Sequence, residues 1–192
     1  MFFGRIGRQK VKAGIIIVTG ACGAGKSTVS KILAENSLCE KAVHMHTDDF
    51  YGYIRKGYIA PWLDESGDQN ETVIQAVAAG AARYAADGFE VYVDGVIGPW
   101  FLEPWRKLAA EGFEVSYVVL RPDEESTVLR AANREQRESF PLVSGDVRKV
   151  WKFFAELNEY EENAVDTTGQ IPEESAELIQ RLLREGRVRL QV

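Results

Sequence analysis

The chain has 192 residues, 27% of them charged, with a formal net charge of −6 and two cysteines. That length suits one domain with a substantial core, and the negative balance leaves no global basic field for nucleic acid. Two cysteines make no disulfide framework, no apolar run reaches membrane-spanning length, and both fit a reducing cytoplasm. Residues 1–12 carry Arg5, Arg8, Lys10 and Lys12 without a signal-peptide core, so they read as a flexible basic arm ahead of a single domain over 13–192.

Ile15 to Val18 form a β-branched run of the kind that fills a buried parallel strand. A glycine-rich turn follows, and Ser27 to Glu35 has the apolar spacing of a helix through Val29, Ile32 and Leu33. Between strand and helix lies Gly20-Ala21-Cys22-Gly23-Ala24-Gly25-Lys26-Ser27, which satisfies G-x-x-x-x-G-K-[ST] at every fixed position and runs on into Thr28. Glycines let backbone N–H groups turn inward around an anion, and the helix N-terminus adds partial positive charge. Lys26 has the reach for β- and γ-phosphates, and the Ser27 hydroxyl is a hard oxygen ligand for Mg²⁺. This is the pattern of a nucleotide-phosphate site. Cys22, inside it, reads as a tolerated small residue.

Ala42 to Thr47 reads as a second strand with Asp48-Asp49-Phe50-Tyr51 at its C-terminal edge, where open parallel sheets bind ligands. Gly52 to Gly67 has no clean period and reads as a loop over the site. A helix is expected over Asn70 to Asp87, closed by Gly88, then a strand over Glu90 to Gly95 that ends in Asp94. Another helix is expected from Pro99 to Glu111 and a fourth strand from Glu114 to Leu120. A charged helix over Asp123 to Glu138, one long amphipathic helix over Asp146 to Glu162, a short strand over Ala164 to Thr168 and a last helix over Pro172 to Glu185 complete the chain. Such alternation predicts an α/β domain with a parallel, doubly wound sheet.

Phosphoryl transfer needs a residue for the nucleophile, a metal and cations for the transferring group. Asp48 stands where a carboxylate can orient an acceptor hydroxyl or take its proton, with Asp49 as the alternative. Asp94, ending an apolar strand, suits contact with Mg²⁺ beside Ser27, or substrate binding in the room left by Gly95 and Gly98. Arg130, Arg134 and Arg137 share one helical face at i, i+4 and i+7, as a lid over 130–141 that clamps phosphates would require. Tyr53, Tyr58, Trp62, Trp100 and Trp105 flank the expected acceptor side, as stacking partners or as core. Arg55 and Arg83 would suit an anionic acceptor if both faced the cleft. His44 and His46 share a strand face but lack further partners for zinc.

Together GACGAGKST at Gly20 to Thr28, TDDFY at Thr47 to Tyr51, VYVDG at Val91 to Gly95, LRAANREQR at Leu129 to Arg137 and VDTTG at Val165 to Gly169 resemble the P-loop small-molecule kinases. That group includes nucleoside and nucleotide kinases, shikimate and gluconate kinases, and chloramphenicol phosphotransferase. The resemblance implies a three-layer P-loop NTPase fold with five parallel strands in order 2-3-1-4-5. It also implies a cytoplasmic monomer or homodimer that uses ATP and Mg²⁺ and engages neither nucleic acid nor membrane. TDDFY is similar to the acidic motif of uridine and nicotinamide riboside kinases, whose first acid acts as base, which places that role on Asp48. On this reading Lys26, Asp48, Arg134 and Arg137 are catalytic, Gly20 to Thr28 and Arg130 bind the nucleotide, and Ser27 and Asp94 serve the metal. VDTTG falls where such kinases place adenine. No motif settles the acceptor: a nucleoside or nucleoside monophosphate, a sugar acid, an antibiotic, a nucleotide sugar as in the zeta-toxin group, or none in an ATPase switch.

Overall fold

The computed structural model describes residues 13–135 and 144–191. Strands β1 (Ile15–Thr19), β2 (Ala42–His46), β3 (Glu90–Asp94), β4 (Val115–Leu120) and β5 (Ala164–Val165) form one parallel sheet in the order β2-β3-β1-β4-β5. Helices α1 (Lys26–Glu35), α2 (Thr47–Gly52), α3 (Gly67–Ala86), α4 (Glu103–Ala110), α5 (Glu124–Glu135), α6 (Ser144–Phe153) and α7 (Pro172–Arg184) accompany it. The expected three-layer fold and strand order are both present. The basic arm over 1–12 lies outside the described residues, as does the half of the expected lid over 136–141.

Every residue of β1 is buried, because the strand runs down the centre of the sheet. The two-residue alternation of a strand sorts its side chains between two cores. Ile15 and Ile17 face Val73, Val77, Val93, Trp105 and Tyr117, under α3 and α4. Ile16 and Val18 face Val29, Leu33, Tyr92 and Ile179, under α1 and α7. Trp105 is therefore core rather than an acceptor contact.

The clearest departures from the expected boundaries fall in four places. The strand foreseen to Thr47 stops at His46, and Thr47 opens the short helix α2. The helix foreseen over Pro99 to Glu111 is a 3-10 turn over Pro99–Phe101 followed by α4, whose start Pro104 fixes because proline has no N–H to continue an earlier ladder. The helix foreseen over Asp146 to Glu162 stops at Phe153. Beyond it the carbonyls of Phe154 and Ala155 accept from Arg121 at 3.4 and 3.1 Å, Asn158 takes a left-handed φ of 50°, and a 3-10 helix covers Asn158–Asn163. The last strand is two residues long rather than five.

So short a β5 leaves the outer edge of the first half of β4 unpaired, and the C-terminal tail fills the gap. Tyr117 N–H donates to the Val188 carbonyl and Leu190 N–H to the Val115 carbonyl, each at 2.8 Å. Val188 and Leu190 bury their side chains there. Among the described residues no helix is long and apolar enough to cross a membrane. Leu190→Ala is expected to cost about 2–5 kcal/mol, the range for a buried leucine truncation, read as a lowered urea midpoint.

Candidate active site

The phosphate loop begins where β1 ends and closes into α1. Gly25 caps the helix with a left-handed φ of 94°, a conformation that a side chain disfavours, and its carbonyl accepts the first helical bond from Val29 N–H at 3.0 Å. Lys26 is buried, and its ammonium donates to the Ala21 carbonyl across the loop at 2.9 Å. Ser27, one residue on, donates its hydroxyl to the Asp94 carboxylate at 3.1 Å. Thus the loop, the first turn of α1 and the end of β3 meet at one point.

Asp94 is fully buried and is the hub of that point. One oxygen accepts from Ser27 and, at 2.5 Å, from His46 Nδ1; the other accepts from His44 Nε2. Sheet register brings these partners together, since β2 lies beside β3 with His46 opposite Asp94, and His44 points to the same face two residues earlier. The far nitrogen of His46, Nε2, stands 3.3 Å from the Asp48 carboxylate. With both ring nitrogens facing carboxylates, the imidazolium is the form that satisfies both as donors. Hydrogen bonding to Asp48, then to Asp94, pushes His46 up to about 10. Burial alone would raise the Asp94 carboxyl, but the two imidazole donors overcome it and hold the group well below the usual carboxylate range. Asp48 is likewise held low, first by His46, with the Lys26 charge adding to the effect.

The region that sequence reading left open for substrate at Gly95 and Gly98 is filled by protein. A Cβ on Gly95 would lie 2.1 Å from Thr47 Oγ1, and one on Gly98 would lie 2.2 Å from the Trp100 ring. Gly95 therefore serves the close approach of Thr47, the buried first residue of α2, to the end of β3. Trp100 packs against Phe153 and Phe154. Arg83 sits in the last turn of α3, which leads into the start of β3 at the opposite sheet edge, and it pairs with Asp87 at 2.8 Å. It does not face the site.

Of the remaining candidates, Asp49 is exposed beside Asp48, and the contact with His46 goes to Asp48. Arg130, on α5, donates to the carbonyls of Thr167 and Gln170 at 3.1 and 3.4 Å, so it fastens the loop that follows β5. Arg137 and the side chain of Arg134 lie outside the described residues. A cleft of about 430 Å³ opens between α2 and α3, lined by Phe50, Tyr53, Ile54, Thr72 and Val73 among others, and includes no residue of the phosphate loop.

The donor set fits a hard cation only in part. The Ser27 hydroxyl is a suitable direct ligand, whereas the Asp94 oxygens already accept three bonds and suit contact through water. Among the described residues no cluster of three or more His, Cys, Asp or Glu side chains is arranged as a metal cage. His44 and His46 were the site residues that sequence reading passed over. Their alternation on β2 was visible, but their partner lies on another strand and appears only when the strand order is applied.

A family model described as an AAA domain matches residues 16–146. No curated protein sequence matches the chain significantly. Among solved structures, the chain superposes on a gluconokinase from Sinorhizobium meliloti 1021 with a TM-score of 0.61 and 21% identity, covering 91% of this chain and 98% of that one. The Mycobacterium tuberculosis APS kinase in complex with AMPPNP and APS gives a TM-score of 0.65 at 17% identity, over 90% of this chain and 98% of that one. Shikimate kinase from Acinetobacter baumannii in complex with shikimate gives 0.61 at 21% identity, over 91% and 94%. What these chains share is the fold.

Two outcomes follow. Gly95→Ala is expected to destabilise by about 1–3 kcal/mol, as overpacking does, because the new methyl group must displace Thr47; urea unfolding checks it. His46 titrates at 6.5 unfolded and about 10 folded, so the stability it contributes is complete below pH 6.5 and is lost as pH rises toward 10. In metal-free protein the melting temperature should fall across that window, and His46→Gln should flatten the fall.

Proposed function

The chain belongs to the AAA-domain family, and on that premise we propose that it is an ATP- and Mg²⁺-dependent kinase that transfers a γ-phosphoryl group to the hydroxyl of a small acceptor. One observation carries the reading. The G-x-x-x-x-G-K-S loop and Asp48 converge at the C-terminal edge of the sheet, close enough for the Lys26 charge to act on the Asp48 carboxyl. A carboxylate there can orient an acceptor hydroxyl or, in an ATPase, the attacking water, and the exposed aromatics just after α2 favour the hydroxyl.

In this reading the amides of Gly20 to Thr28 receive the phosphates, and Lys26 exchanges the Ala21 carbonyl for phosphate oxygens. Ser27 would ligate Mg²⁺ directly, and Asp94 would hold it through water while aligning the Ser27 hydroxyl. Bound there, the ion would offset charge on the β- and γ-phosphates. Asp48 orients the acceptor hydroxyl and accepts its proton. Arg134 and Arg137 are assigned to the transferring phosphoryl group, and Arg130 to the base side, through its hold on the loop at Thr167. The acceptor class favoured is a nucleoside or nucleoside monophosphate. Exposed Tyr53, Tyr58 and Trp62 offer planar faces just after α2, and exposed Arg55 and Lys56 offer charge for a phosphate.

Thermal shift with Mg²⁺ and AMPPNP, then with nucleosides, nucleoside monophosphates, sugar acids, shikimate and antibiotics, tests both parts. A nucleotide shift followed by a second shift with nucleosides or their monophosphates is expected; a second shift with another class would reassign the acceptor. Asp48→Asn should lower kcat by about 10²–10⁴-fold, the worth of a positioned base, with AMPPNP affinity unchanged. ATP hydrolysis that ignores every acceptor and survives Asp48→Asn would overturn the kinase reading.

A further inference from the structure

The side chain of Asp48 is 72% exposed and rises from the first turn of a six-residue helix. A carboxylate so placed has several rotamers within reach. Alignment of an acceptor hydroxyl tolerates little of that freedom, since a misplacement of about 1 Å can cost on the order of 10²-fold in rate. Something must hold Asp48, and the sole side chain bridging it to the buried interior among the described contacts is His46.

The bridge is rigid at its inner end. His46 Nδ1 donates to Asp94 at 2.5 Å, Asp94 is fully buried, and the β2–β3 register sets the two opposite each other. Asp94 in turn accepts from Ser27 on the phosphate loop. Between His46 and Asp48 the backbone is pinned as well, because Thr47 is buried in the space over Gly95. At the outer end Nε2 reaches the Asp48 carboxylate at 3.3 Å.

We propose that His46 is a positioning residue for the transfer: it fixes the Asp48 carboxylate relative to the phosphate loop through a strut that runs Ser27–Asp94–His46–Asp48. The inference rests on the kinase reading above. His46 does not touch the nucleotide or the acceptor; it acts through Asp48. A strut has two separable ends. Asparagine at position 46 places an amide nitrogen where Nδ1 stands and keeps the bond to Asp94, but it does not reach Asp48. Glutamine places its amide nitrogen near Nε2 and reaches Asp48.

The experiment compares wild type, Asp48→Asn, His46→Asn, His46→Gln and the double variant carrying Asp48→Asn and His46→Asn. The probes are [γ-³²P]ATP with water as acceptor and, in parallel, a mixture of the four ribonucleosides and their monophosphates. His46→Asn should lower kcat by about 10–100-fold with the Kd for Mg·AMPPNP unchanged, and His46→Gln should recover most of that loss. The double variant should be no slower than Asp48→Asn alone, because both changes remove the same alignment. A His46→Asn enzyme as fast as wild type, or a further loss on top of Asp48→Asn, overturns the proposal while leaving the kinase reading intact. ATP hydrolysis that is unchanged by nucleosides, nucleoside monophosphates, sugar acids, shikimate or antibiotics, and that survives Asp48→Asn, defeats the kinase reading instead. The ¹³Cγ resonance of Asp48, recorded without nucleotide, decides the strut in that case. It should move in His46→Asn and return toward its wild-type position in His46→Gln; a resonance unmoved by His46→Asn would refute it.

Discussion

The Asp94 carboxylate sits where the start of α1, the end of β2 and the end of β3 come together. Burying an ionised carboxylate costs several kcal/mol unless donors replace the lost water. Here Ser27 supplies one from the phosphate loop, and His44 and His46 supply two from β2. Any shift of α1, β2 or the end of β3 would strand that charge. The arrangement therefore fixes the nucleotide side of the site and the start of α2 in one frame, and the identity of Gly95 allows the frame to close around Thr47. Strand order is the underlying constraint: β2 must lie beside β3, and β3 beside β1, for the three sets of side chains to converge.

The same order divides the labour of the sheet edge. The loop after β1 and the residues after β5 lie on one side, where Arg130 of α5 holds the carbonyls of Thr167 and Gln170. Asp48, α2 and the loop that follows lie on the other side. That loop is stitched to α3 by Gln69, which bonds both N–H and carbonyl of Ile59, and by Asn70, which reaches the Pro61 carbonyl and accepts from Tyr51. Its exposed aromatics are thus carried on an ordered support rather than a loose tether. In the proposed reading the phosphate loop is the part that a fold can share between substrates, and this separately supported loop is the part that would meet the acceptor.

Much of this was legible in the sequence because it is written locally. The phosphate loop spells its own conformation, β1 announces a central strand by four consecutive β-branched residues, and Asp94 ends its strand where ligands gather. The alternation of strands and helices was enough for the fold. What stayed hidden depends on partners far apart in the chain. His44 and His46 looked like an incomplete metal pair because their partner is 48 or more residues away. Gly95 and Gly98 looked like open space, yet each is filled by a side chain whose position no local pattern reveals. The end of α6 is set by Arg121, which follows β4, and the tail beside β4 is called in by the shortness of β5. Each is tertiary chemistry overriding a local preference.

The most direct measurement is the protonation pattern of the two histidines, by ¹⁵N-edited NMR of the imidazole rings in metal-free protein at pH 8. If Asp94 and Asp48 clamp His46 between them, both of its ring nitrogens carry protons at that pH, and Asp94→Asn collapses the pattern. A neutral His46 ring with one bare nitrogen at pH 8, indifferent to Asp94→Asn, would contradict the hub on which the site is built.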